Sequence, residues 1–124
     1  MLKHFVIFTF EDNFFKEEHF NEYVDAFSRI KEEYPKIKEI SIHKNCIDRP
    51  ANMDLMIEMV LEDESVLSEY LNSPEHIRMG KKYNPHVANR VSFDYYIWKT
   101  LFTKSLQCEQ SLTLKTVFRQ SLLF

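Results

Sequence analysis

Over the first ten residues, large apolar side chains fall on both sides of a two-residue alternation. Leu2, His4, Val6, Phe8 and Phe10 share one face of an extended chain, and Lys3, Phe5, Ile7 and Thr9 share the other. The β-branched and aromatic content predicts a strand over 2–10, covered on both sides. A turn at 11–15 carries Asp12 and Asn13, and the period then lengthens. Phe20, Tyr23, Val24, Phe27, Ile30 and Tyr34 recur at helical spacing and predict a helix over 16–34. Pro35 ends it, because the residue before a proline is pushed out of the α region.

Ile37, Ile40 and Ile42 predict a second strand over 37–44, and a loop over 46–52 contains Pro50 and Asn52. A third strand over 53–62 sets Met53, Leu55, Ile57, Met59 and Leu61 against Asp54, Met56, Glu58 and Val60. Asp63, Glu64 and Ser65 open a second helix with a short stripe of Val66, Leu67, Tyr70 and Leu71. Ser73, Pro74 and Glu75 restart the helical path over 74–84, since proline suits a first helical position. Residues 90–98 read as a fourth strand. The order β-α-β-β-α-β predicts an α+β, ferredoxin-like fold, a four-stranded antiparallel sheet with its helices on one face. Helices on one face leave the other apolar face bare, and a two-fold symmetric second copy is the economical cover. Residues 99–124 show mixed periodicity and stand apart as an extension to a domain of 1–98.

Composition narrows the function. The 124 residues suit one domain, and aromatics at 15%, mostly Phe, can fill a sizeable core. A net charge of −3 argues against nucleic acid or an anionic membrane as partner. No apolar run approaches the ~18 residues of a membrane span. The start lacks a charged segment followed by a long apolar one, so no signal peptide is read. Cys46 and Cys108 have no CxxC spacing and are read as free thiols in a reducing cytoplasm. The lone glycine, Gly80, excludes Gly-rich phosphate loops, which need several for close backbone approach. Any positive φ then falls to residues such as Asn13, Asn45, Asp48 or Asn52. The five histidines show no HxH, HxxxH or HExxH spacing, so neither a metal site nor a cofactor is expected.

Three segments carry a resemblance. The opening Leu2-Lys3-His4-Phe5-Val6-Ile7-Phe8, the stretch Tyr70-Leu71-Asn72-Ser73-Pro74-Glu75-His76, and Arg90-Val91-Ser92-Phe93-Asp94-Tyr95 occur in the order seen in the stress-responsive dimeric α/β-barrel (Dabb) family. The middle stretch is similar to the family's Tyr-x-x-His-Pro-x-His, with Ser73 in place of the first His. The resemblance implies a ferredoxin-like unit that pairs into a homodimeric α/β barrel. The family includes plant olivetolic acid cyclase, whose active-site Tyr and His match Tyr70 and His76 by position.

His76 is accordingly the candidate general base, since an imidazole takes a proton near neutral pH. Tyr70, across the turn at Pro74, is the candidate donor to a carbonyl oxygen. Phe20, Tyr23, Phe27 and Leu71 are the expected lining of a pocket for a small apolar or aromatic molecule. His4 is read as a packed structural histidine that Asp94 can partner. Two functions stay open. One is a cofactor-independent cyclase- or isomerase-type enzyme. The other is a non-catalytic dimeric binding or stress-related protein, favoured by Ser73 and by the lack of an assigned reaction in most of the family.

Overall fold

A computed structural model describes residues 1–97; residues 98–124, which hold Trp98, Cys108 and the expected extension, lie outside the described residues. The elements are β1 (Leu2–Phe10), α1 (Glu17–Glu33), β2 (Ile37–Lys44), β3 (Leu55–Leu61), α2 (Glu64–Leu71), α3 (Pro74–Tyr83), a short 3-10 turn at Asn84–His86, and β4 (Val87–Tyr96). The strands form one antiparallel sheet in the order β2-β3-β1-β4. This is the ferredoxin-like α+β arrangement, with the second helical stretch divided in two.

Alternation in β1 is strict: Leu2, His4, Val6, Phe8 and Phe10 are buried and their neighbours are half-buried. The same holds in β3, where Leu55, Ile57, Met59 and Leu61 are buried. The helices cover this inner face. In α1 the buried residues are Tyr23, Ala26, Phe27 and Ile30, at i, i+3, i+4 and i+7. Val24 is 37% exposed, whereas Ala26, a small residue, is fully buried.

Two strand boundaries move, each for a local reason. β3 starts at Leu55 because Asp54 ends the ladder, its N–H donating to the Phe8 carbonyl and its carboxylate accepting from the Phe10 N–H, both at 2.8 Å. β4 starts at Val87 because the Asn84–His86 turn leads straight into it, and the His86 carbonyl accepts from the Glu11 N–H at 2.8 Å. Asn13 takes the one positive φ among the described residues; Asn45, Asp48 and Asn52 do not.

The outer face of the sheet is apolar along its β1–β4 half. Val91, Phe93 and Tyr95 are exposed, and Phe93 at 65% is the most exposed large hydrophobic described. Phe5 stacks on Tyr95 with ring centres 6.1 Å apart. Beside this patch, Glu58 pairs with Lys3 and His43.

Charges strap α3 to α1. Glu22 accepts from Lys82 at 2.7 Å, Arg78 at 3.2 Å and the Tyr83 hydroxyl at 2.5 Å. Glu75 accepts from Arg29 at 2.6 Å and Arg78 at 2.9 Å. Lys82 first, and then Tyr83, hold the Glu22 carboxyl down to about 2; Arg78 and Arg29 do the same for Glu75. A carboxyl depressed on folding contributes stability that is fully present above its unfolded value near 4.5 and is lost as pH falls toward 2. Urea denaturation at pH 7 and pH 3 is therefore expected to show an acid loss that Glu22→Gln reduces. An unchanged acid slope in that variant would show the strap contributes nothing.

Candidate functional site

A cavity of about 270 Å³ lies between the inner face of the sheet and the helices. Its floor comes from β1 and β4 in register: His4 opposite Asp94, Val6 opposite Ser92, Phe8 opposite Arg90. Tyr23 and Phe27 of α1, with Tyr70, Leu71 and His76, supply the helical wall. Five of the six residues expected at a pocket thus share one cavity. The sixth, Phe20, does not line it; its ring lies 5.1 Å from the Lys44 ammonium near the start of α1.

The break between α2 and α3 sets the central pair. Ser73, 1% exposed, is the N-cap of α3, and its hydroxyl accepts from the His76 N–H at 3.2 Å. Pro74 follows at the first helical position. The residue that departs from the family stretch is therefore the one that anchors the helix carrying His76. Across the break, the Tyr70 and His76 rings meet edge to face, 4.7 Å apart at 63°.

The His76 ring lies 3.0 Å through Nδ1 from the Leu71 carbonyl. A carbonyl only accepts, so Nδ1 carries the proton and Nε2 keeps the free lone pair. Burial lowers the pKa of this imidazole below its usual 6.5, against the pull of the Leu71 carbonyl and helped by the charge of Arg90. At neutral pH the ring is a neutral base. Tyr70 is 2% exposed, and burial pushes its phenol well above 10, so it stays protonated. Its hydroxyl has no hydrogen-bond partner among the described residues, although it borders the cavity. Buried hydroxyls are ordinarily partnered, so this one is a polar group of a cavity-lining residue left without a bond among the described residues.

The His4 ring also lies near Tyr70, 6.3 Å away. His4 Nδ1 meets Asp94 Oδ1 at 2.5 Å. The pairing anticipated from sequence is present, and it belongs to the cavity, not to a sealed core. Sequence reasoning also left out Arg90 and Asn84, which border the same space. Asn84 opens the turn between α3 and β4 and Arg90 lies within β4, and no periodicity marks them. Among the described residues no three His, Cys, Asp or Glu side chains gather as a metal cradle, and no helix is long and apolar enough to cross a membrane.

Residues 2–97 match the family model described as Stress responsive A/B Barrel Domain. By sequence, no curated protein matches the chain. Solved structures do. A dimeric ferredoxin-like protein of unknown function from Thermobifida fusca has a TM-score of 0.66 at 19% identity, covering 77% of this chain and 90% of its own. A Dabb family protein from Mesorhizobium loti has a TM-score of 0.61 at 19% identity, covering 78% and 96%. The hydroxynitrile lyase of Passiflora edulis has a TM-score of 0.64 at 15% identity, covering 81% and 95%. At such identities the likeness speaks for the fold.

Ser73→Ala removes the cap and leaves the His76 N–H without its side-chain acceptor. The expected cost is about 0.5–2 kcal/mol, seen as a lower melting temperature. Ser73→Thr should restore most of it, because the cap oxygen returns. Equal stability of the alanine variant would show that the cap does not hold α3.

Proposed function

The chain belongs to the stress-responsive A/B barrel domain family, and from that premise we propose that it is a homodimer whose cavity takes a small apolar or aromatic carbonyl compound and isomerises or cyclises it by proton transfer, without a cofactor. The observation that carries this reading is the buried hydroxyl of Tyr70, unpartnered among the described residues, beside the neutral imidazole of His76.

The chemistry follows from the two protonation states. His76 Nε2 removes a proton from the carbon next to the carbonyl. The C–H electron pair becomes the carbon–carbon double bond of an enolate, and the carbonyl π pair moves onto oxygen. The Tyr70 hydroxyl donates a hydrogen bond to that oxygen as its charge grows. In a β,γ-unsaturated ketone the imidazolium then returns the proton at the γ carbon; in a dicarbonyl compound the enolate carbon attacks the second carbonyl, whose π pair moves onto its oxygen, and the imidazolium gives its proton to the alkoxide so formed. His4, bound to Asp94, borders Tyr70 as well and adds a polar group to the same wall. A lowered imidazole pKa keeps the base active somewhat below pH 6.5, with activity falling as His76 protonates. The exposed thiol of Cys46 fits a reducing, cytoplasmic setting. The rival reading, ligand binding without turnover, draws on the His76–Leu71 bond, which by itself does no more than tie the ring to the end of α2.

Exchange of α-protons of acetophenone and phenylacetone in D2O, followed by proton NMR, separates the two. Protein-dependent exchange is expected, with His76→Ala lowering it about 10²–10⁴-fold. Tyr70→Phe should slow exchange while leaving binding largely intact. Binding with no exchange above background would leave the non-catalytic reading standing.

For the dimer, the support is the apolar outer face centred on Phe93, together with the dimeric state given for the Thermobifida relative. Sedimentation equilibrium at tens of micromolar is expected to give twice the chain mass, and Phe93→Asp to give the monomer. A monomeric wild type would sink the assembly.

A further inference from the structure

Within the cavity wall, one charge lacks a counter-ion among the described residues. Asp94 is engaged by His4. Arg29 and Arg78 each hold carboxylates in the strap between helices. Arg90 meets no carboxylate among the described residues. Its guanidinium lies 5.5 Å over the Phe8 ring, and Nη2 donates to Asn84 Oδ1 at 3.4 Å. One face of the guanidinium is thus taken by an aromatic ring and one N–H by an amide oxygen. The remaining N–H groups are left at the cavity mouth, where Arg90 and Asn84 are both exposed.

Asn84 adds to this. With Oδ1 turned to Arg90, its Nδ2 amide group is a further donor. Nδ2 faces Gly80: a Cβ on Gly80 would stand 3.3 Å from it. Glycine inside a helix weakens it, and here its missing side chain keeps the amide clear. A Cβ on the chain's single glycine would therefore press on the Asn84 amide. The donor-only character is local, because Ser92 separates Arg90 from Asp94 along the same face of β4. The positive charge also reaches inward, adding to burial in lowering His76.

We propose that the mouth of the cavity is an anion subsite, in which Arg90 and the Asn84 amide hold a carboxylate at the polar end of a ligand whose apolar or aromatic body fills the cavity. This rests on the cavity being the ligand site and narrows its ligand to carbonyl compounds that also carry an acid group. A carboxylate matches the planar fork of an arginine with two parallel hydrogen bonds, which a neutral amide cannot do.

The test uses matched acid and amide pairs, benzoate with benzamide, phenylacetate with phenylacetamide, and hexanoate with hexanamide, titrated by NMR. In the wild type the acid of a pair is expected to bind at least about tenfold tighter than its amide. Arg90→Gln should bring the acid down to the amide's affinity and leave the amide unchanged, while Arg90→Lys keeps part of the preference. Added salt should weaken the acid selectively. Equal binding of acid and amide by the wild type, or an undiminished preference in Arg90→Gln, overturns the subsite and leaves the cavity reading intact. Failure of all six compounds to bind overturns both.

Discussion

Strand β1 is hydrogen-bonded on both sides, to β3 and to β4, and its two-residue alternation governs everything built on it. One face of β1 sends Val6 and Phe8 into the core and His4 into the cavity floor. The other sends Phe5 and Ile7 to the outer surface. A slip of one residue in either ladder would exchange the two faces. It would carry His4 away from Asp94, bring Lys3 under the helices, and remove both the cavity floor and the apolar outer patch. The large side chains on both faces make that exchange costly in either direction, because no alternative register buries the same area without burying Lys3.

The second constraint is the interruption between α2 and α3. Six residues along an unbroken helix turn through about 240° beyond a full revolution, which leaves two side chains about 120° apart around the axis and on different faces. Tyr70 and His76 are six apart and their rings touch. The turn at Asn72 and Ser73 redirects the chain, and the buried Ser73 cap with Pro74 fixes the new direction. The two ends of the interruption thereby serve one purpose: α2 ends by offering the Leu71 carbonyl to His76, and α3 begins by presenting the ring.

Much of this is legible in the sequence. The alternation in 2–10 and 53–62 sets faces without ambiguity, since a strand offers only two. The pocket residues on α1 were readable for Tyr23 and Phe27 but not for Phe20, one helical turn earlier, because an apolar stripe on a helix is wider than the strip that faces a cavity. Hydrophobic spacing also favoured Val24 over Ala26, although a small residue permits the closest contact. His4 looked like a core residue because nothing in a linear pattern tells a filled interior from a cavity wall. Arg90 and Asn84 were invisible for a related reason. Their roles come from sharing one corner of space, and six residues of sequence carry no sign of it.

The bond between His4 and Asp94 spans 90 positions of the chain. The β2–β3 hairpin closes over a short distance, while the pairing of β1 with β4 joins segments near opposite ends of the described residues. Loop closure over such a separation costs more entropy and comes slowly. On a ribosome, β1 emerges first and waits for nearly the whole domain before its second neighbour exists. Until then one edge of β1 is an unpaired strand edge, and the histidine at position 4 has no carboxylate. Completion of the cavity floor is thus tied to the last strand of the domain, so no partly made chain possesses the site.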